Sequence, residues 1–489
     1  MRALLCGLFV IFVLQGEAEA NFLQVKGAFH VHTSFSTGAL SLEEVAEEAQ
    51  MEGIDSVIFS ENFLLRFEYG LFPFRGLLKK VVEEPSVVRR GIRGWLESME
   101  TAQAKFPSVI LIPGVEVVPY YYWTGSLLRR DLTLRDSQKN VLAVGLDTAE
   151  EYMSIPAIGN SKTLSLQWPY LLESALGLAF VGLGFLLVRT EREQKIRLKR
   201  FLVRVRKPYR VPGWLALGFG ALLLLEGFTA SDLNPYGGDL GIKPYQQVID
   251  SVEAAGGMAF WSFPEARDFR KEGFGPLGTV TIRTDPHPQV LLQSQGYTGF
   301  GAIYPDNVTF TEPGGEWDRL LLEYAEGGRS RPAWGIGELG YRGMPKRLDE
   351  VLTVFLVSEK SREAILSALR SGRFYSVQPK RDYRLVLEDF SIGLDGKSEW
   401  VSMGDELKAD GEGPLSVRLR IGASDSRQVD FTLRLIRSGK LVRVIEGKTP
   451  FTESLTLTPP DRGKREFFRI ELVKPHRLLS NPIFVRRQA

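Results

Sequence analysis

The spacing of apolar residues along the chain changes character three times. From residue 21 to about 150, short unbroken apolar runs alternate with helical stripes. Ala28–His32 reads as a strand running into the turn-rich stretch Thr33-Ser34-Phe35-Ser36-Thr37-Gly38. Ser41 and Glu44 then form a capping box, and Leu42, Val45, Ala46 and Ala49 fall on one helical face. Gly53 ends that helix, and Asp55–Phe59 is the next strand. A helix near Gly94–Phe106 and strands at Val109–Leu111, Gly114–Glu116 and Asn140–Leu146 continue the rhythm. It resumes with a helix at Lys243–Ala255, strands at Met258–Trp261, Gly299–Ile303 and Ala333–Ile336, and a helix at Ser361–Ser371 stopped by Gly372. Strand–helix alternation of this kind predicts a parallel sheet or barrel, here built from 21–160 and 231–378.

Two long apolar runs, 168–188 and 211–230, separate those halves, and each holds a single charge, Glu173 or Glu226. Each is about long enough to cross a ~30 Å hydrocarbon core at ~1.5 Å per residue. The stretch between them, 189–210, carries ten Lys and Arg against two acids, which places it in the cytoplasm by the positive-inside rule. Glu173 and Glu226 lie equally far from its two ends, so both sit at one depth near the outer interface. There they are hydrated rather than part of an ion path. Residues 1–20 have the pattern of a signal peptide: Arg2, the apolar stretch Ala3–Leu14, then Ala18-Glu19-Ala20. Both signals predict a bacterial inner-membrane protein whose bulk lies on the extracytoplasmic (periplasmic) side, with the lipid bilayer as partner of the 168–188/211–230 hairpin.

From 380 to 489 the period shortens to two. Leu415, Val417, Leu419 and Ile421, then Phe431, Leu433 and Leu435, then Phe468, Ile470 and Leu472 alternate with polar residues, the pattern of a β-sandwich.

Composition narrows the function. The 489 residues are 44% hydrophobic, and 61 Lys and Arg nearly cancel 59 Asp and Glu, so no nucleic-acid partner is expected. One cysteine, Cys6, excludes a disulfide scaffold and a Cys-ligated zinc site. The four histidines are His30, His32, His287 and His476. His30 and His32, two apart on a strand, project to one side, and neutral imidazole is a common ligand for zinc, iron or manganese. Glu61 and Glu116 end the next two strands, where carboxylates would meet that pair. The same residues also suit a hydrogen-bonded polar pair at a barrel mouth. His287, in the rigid Asp285-Pro286-His287-Pro288 turn, and His476, in the sandwich, read as structural. Tyr120, Tyr121, Tyr122 and Trp123 suit either a pocket lining or the core.

Phe29-His30-Val31-His32-Thr33, with Ser36-Thr37-Gly38 and Ser41-Leu42-Glu43-Glu44, resembles the opening of the PHP (polymerase and histidinol phosphatase) domain family. Ile54–Asn62, Ile112–Glu116, Asn140–Leu142, Gly256–Glu265 and Ser367–Tyr375 resemble its later motifs in order. The ending Ser480–Val485 is similar to the tail of the CehA/McbA-type metallohydrolases of that family. The resemblance implies an α/β fold: a distorted (β/α)7 barrel, here interrupted by a two-helix transmembrane hairpin and followed by the sandwich. It also implies a metal cluster for hydrolysis of a phosphoester or related ester. His30, His32 and Glu116 match family ligands, and Glu61 stands where Asp is usual. Asn62, Asn140, Phe263 and Gly340 stand where His is usual, and Thr37 replaces an Asp. A full cluster is therefore not expected. The resemblance leaves one divalent ion (Zn, Mn or Fe) on His30, His32, Glu116 and Glu338, with Glu61 as a further ligand or base. Two functions follow: a membrane-anchored hydrolase of a phosphorylated small molecule, or an inactive relative that binds an envelope ligand or partner.

Overall fold

A computed structural model describes residues 22–160, 175–198, 201–227, 231–275, 278–306, 308–410 and 413–488. The expected signal segment 1–20 lies outside the described residues, as does Glu173.

Seven strand positions hydrogen-bond around a ring. The first strand, Leu23–Val31, pairs in parallel with Ser56–Phe59, and that with Ile110–Ile112. After Pro113 the chain runs on as Gly114–Val117, parallel to Glu61–Asn62 and antiparallel to Val141–Val144. Val141–Val144 pairs antiparallel with Met258–Trp261, and Gly299–Ile303 and Trp334–Gly337 follow in parallel. The ring closes where the amides of Leu339 and Tyr341 donate to the carbonyls of Phe29 and His30, and His32 N–H donates to the Tyr341 carbonyl, each at 2.9 Å. Strands such as Ser56–Phe59, Ile110–Ile112 and Val141–Val144 are buried throughout, which explains their unbroken apolar runs: neither face meets water.

Local chemistry sets the outer helices. Helix Leu42–Met51 opens on the Ser41/Glu44 capping box and buries Leu42, Val45, Ala46 and Ala49. Helix Arg362–Ser371 stops at Gly372, whose φ of 80° and contact with the Trp334 ring leave no room for a side chain. Helix Ile92–Lys105 lies close to the expected bounds. Helix Glu316–Ala325 carries an apolar stripe that the sequence reading passed over.

Val141–Val144 and Met258–Trp261 flank the long excursion that holds the apolar hairpin. Its helices are Ala175–Arg189 and Arg210–Gly227, of 15 and 18 residues. Gly177 faces Gly220 and Gly184 faces Gly213, and a Cβ at any of the four would come within 2.6–2.9 Å of the opposing helix. The outward positions are large and exposed, among them Leu178, Phe185, Leu186, Val211, Trp214 and Leu215. The described parts of the two expected spans fall short of full crossings. Among the described residues, no helix is long and apolar enough to cross a membrane. Helices of 15 and 18 residues rise only about 22 and 27 Å, and Arg210, Pro212 and Glu226 dilute the second. Residues 168–174 and 228–230 of the expected spans lie outside the described residues. The basic stretch between the helices is not an open loop but an antiparallel ribbon, Glu191–Leu198 with Phe201–Pro208. The alternation in Leu202-Val203-Arg204-Val205-Arg206 fits that state.

The C-terminal region is rich in strands. One sheet holds Trp400–Ser402, Leu385–Leu394, Leu415–Ala423 and Phe451–Leu457. The other holds Lys440–Lys448, Asp430–Arg437, Arg465–Lys474, Ile483–Arg486 and Glu406–Lys408. This second sheet is continuous with the ring: Leu478–Ser480 pairs with Phe374–Val377, that with Leu352–Val357, and that with Leu23–Val31. A fully buried ion pair reinforces the junction. Arg469 donates to both carboxylate oxygens of Asp318, at 2.6 and 2.8 Å, and to the Thr311 carbonyl at 2.9 Å.

Candidate metal centre

His30 does not occupy a regular strand position. The register of the first strand shifts between Phe29 and Val31, and His30 has φ of 70°. Such a bulge re-aims a side chain, and here it brings the two imidazoles together, Nε2 to Nε2 at 3.0 Å. Glu116, from the third strand position, lies 3.5 Å from each of those nitrogens. All three residues are buried, and their donor atoms lie within 4.8 Å of one another; among the described residues this is the one such group.

Glu338 stands apart from that convergence. Its Oε1 lies 2.6 Å from Nδ1 of His30, the ring edge facing away from His32. Ser262 donates to the same oxygen at 2.5 Å, and the Phe263 amide to Oε2 at 3.0 Å. The carboxylate fits only because residue 301 is glycine: a Cβ there would overlap Oε2. Glu61 is also outside the group. Thr33 N–H donates to it at 2.9 Å, and the hydroxyls of Thr33 and Ser36 grip its two oxygens. Ser36 Oγ in turn lies 3.5 Å from Nδ1 of His32.

Where the resembled motifs would carry further imidazoles, the chain has built something else. The Phe263 ring stacks on His30 at 5.2 Å, and a side chain at Gly340 would strike that ring. The two replacements are therefore coupled, since the small residue makes room for the large one. Asn62 donates to Thr37 at 2.8 Å. Asn140 donates to Glu116 at 2.6 Å, while its buried Oδ1 has no hydrogen-bond partner.

The charges reinforce one another. Burial favours neutral His30, but Glu116 and Glu338 outweigh it and lift its pKa to about 9. Burial also works against charge on Glu116, yet His30, His32 and Arg342 hold it far below the usual carboxylate range. His32 is pushed well down, by burial first and by its cationic neighbours next, against the pull of Glu116. Burial raises Glu61 to about 7 against the hydrogen bonds of Ser36 and Thr33. The pocket thus balances its carboxylates with a protonated imidazole, and so favours a positive charge at that spot.

That preference, the donor types and the spacing suit a divalent ion. Ligands bound at about 2.0–2.2 Å in a tetrahedron stand roughly 3.4 Å apart; here the two imidazole nitrogens are 3.0 Å apart, and each lies 3.5 Å from one oxygen of Glu116, Oε1 for His30 and Oε2 for His32. His30, His32 and Glu116 line a cleft of about 440 Å³, together with Arg267, Arg342, Lys346, the Arg270–Asp268 ion pair, and the apolar Phe263, Met344 and Pro345. Arg342 reaches to 3.8 Å from Glu116. Sequence reasoning did not find these cations: Arg270 lies on a strand, Asp268–Gly273, that carried no clear period. The Tyr120–Trp123 run is not at the cleft. Tyr120, Tyr121 and Trp123 are buried, and Tyr120 donates to the carbonyls of Asn234 and Gly238.

No protein-family profile matches the chain, and no curated protein matches it. Three solved structures are similar in part. A two-domain protein from Bacteroides vulgatus, containing a predicted PHP-like metal-dependent phosphoesterase, is 10% identical with a TM-score of 0.35, over 92% of this chain and 90% of that one. A putative metal-dependent phosphoesterase from Bifidobacterium adolescentis is 15% identical with a TM-score of 0.30, over 69% of this chain and 95% of its own. An amidohydrolase from Chromobacterium violaceum is 13% identical with a TM-score of 0.28, over 66% and 89%. At TM-scores this low, the three likenesses fix neither fold nor chemistry.

Proposed function

We propose that the chain is a PHP-like hydrolase that uses one divalent ion to cleave an anionic ester of the phosphoester type. The supporting observation is the convergence of His30, His32 and Glu116, buried and drawn from two separate strands, on the floor of a cation-ringed cleft. An ion bound there would supply a positive charge for the scissile group. The chain's own groups do the rest. Glu338 fixes which nitrogen of His30 faces the cleft, the arrangement in which a carboxylate orients a metal-binding imidazole. Glu61, acting through Ser36, faces the far edge of His32 and holds it in place. Arg267, Arg342 and Lys346 attract and orient an anion.

The test is metal content and turnover of the full-length protein. About one equivalent of transition metal is expected, lost in a His30→Ala/His32→Ala variant together with hydrolysis of an aryl phosphate. Less than about 0.2 equivalents, unchanged in that variant, would sink the reading. A second reading, a binding protein without turnover, draws on the stacking of Phe263 over His30 and on the asparagines at 62 and 140. One bound equivalent with no phosphoester hydrolysed would favour it.

In the same reading the hairpin sits in lipid, its basic ribbon at the cytoplasmic face and the ring and C-terminal sheets on the extracytoplasmic side of a bacterial inner membrane. Its large outward apolar residues and close-packed glycine seam support this, since helices in lipid approach through small residues. Protease attack on the 191–208 ribbon only from the cytoplasmic side is the expected outcome in oriented vesicles.

A further inference from the structure

A second apolar feature lies beside the hairpin. Strands Arg66–Gly70 and Lys79–Glu83 form an antiparallel ribbon, and its tip, residues 71–78, reads Leu-Phe-Pro-Phe-Arg-Gly-Leu-Leu. Phe72 is 83% exposed, and Leu71, Leu77 and Leu78 are exposed as well. The tip is nevertheless held in place. The amides of Gly76 and Leu77 donate to the two carboxylate oxygens of Glu226, at 2.5 and 3.1 Å, and the Phe74 ring packs on Phe219 at 5.3 Å. Glu226 is in the last turn of helix Arg210–Gly227, at the end away from the basic ribbon. This explains the intramembrane-looking acid: it caps backbone amides of the tip.

Cations follow the apolar residues. Arg75 lies over the rings of Phe72 and Tyr236, at 5.9 and 4.4 Å, and Lys79 and Lys80 come directly after the tip. Aromatic and aliphatic residues backed by Lys and Arg are the composition of segments that rest at a membrane–water boundary. Phe219, on which Phe74 of the tip packs, is itself partly exposed on the hairpin.

We propose that the 71–78 tip is an interfacial foot. Phe72, Leu71, Leu77 and Leu78 enter the outer headgroup boundary of a phospholipid bilayer, and Arg75 and Lys80 meet the phosphates. Glu226 locks the foot to the hairpin, so the ring is carried at a fixed tilt above the surface. The inference rests on the reading of the hairpin as lipid-embedded.

The test uses full-length protein with Cys6→Ser, carrying one environment-sensitive label at Phe72→Cys or, separately, at Leu222→Cys on the exposed face of the hairpin. The protein is reconstituted in phosphatidylethanolamine/phosphatidylglycerol vesicles with nitroxide lipids that quench at shallow or deep positions. The label at 222 should be quenched more by the deep nitroxide, and the label at 72 severalfold more by the shallow one. A quenched 222 label with an unquenched 72 label overturns the foot and leaves the hairpin in lipid. If neither label is quenched, the hairpin reading fails and the foot fails with it. Shielding of the 72 label that appears only as protein is added at constant lipid would mark a second copy as the occupant, and would also overturn the proposal.

Discussion

His30 is gripped at both ring nitrogens, by Glu338 on one side and by His32 and Glu116 on the other. If Glu338 orients the ring, Glu338→Gln should weaken divalent-metal affinity about 10–100-fold while leaving the fold intact. A chelator-dye competition titration measures this, and unchanged affinity would remove Glu338 from the site. The other two histidines make a separate prediction. Burial lowers His287 and His476 to about 4 from 6.5. Between those values the unfolded chain binds more protons than the folded one, so this contribution is complete above about pH 6.5 and is lost as pH falls toward 4. Glu61, raised to about 7, works the other way over the same range, so the readout is a difference: lowering the pH from 7 to 5 should cost the wild type more in urea midpoint than it costs a His287→Gln/His476→Gln variant.

Elements with strong periodicity were legible from sequence. The Ser41 capping box, the stripe behind it, and the strands Met258–Trp261 and Gly299–Ile303 needed only local information. The ribbons were not legible, because Arg66–Glu83 and Asp268–Thr284 have polar, half-exposed strands whose pairing depends on neighbours far along the chain. For the site, the motif exposed His30, His32 and Glu116, but the seating of Glu338 behind His30 depends on the bulge at His30 and the glycine at 301, which no spacing rule encodes. In the hairpin, the four glycines define the seam. Gly220→Val should force the helices apart and cost about 1–3 kcal/mol, read as a lowered melting temperature in detergent. Gly218→Val, where a Cβ meets nothing within 4 Å, should leave that temperature nearly unchanged.

Ring and C-terminal sheets share a continuous run of hydrogen-bonded strands and one fully buried ion pair. Removing one partner of such a pair leaves the other charge stranded. Asp318→Ala is therefore expected to destabilise by about 3–5 kcal/mol, with both regions melting in a single, earlier transition. Two separated transitions in the wild type would show that the shared sheet does not couple them.

Val141–Val144 finds its neighbour, Met258–Trp261, only after the entire hairpin has been synthesised. Until the ribosome has delivered that later stretch, the nascent chain holds half a ring with a bare hydrogen-bonding edge. Placement of the two apolar helices is thus a checkpoint in biogenesis: a polypeptide stalled or cut before the return leg offers an open template to chaperones and to other nascent copies, and it cannot close the ring around His30, His32 and Glu116.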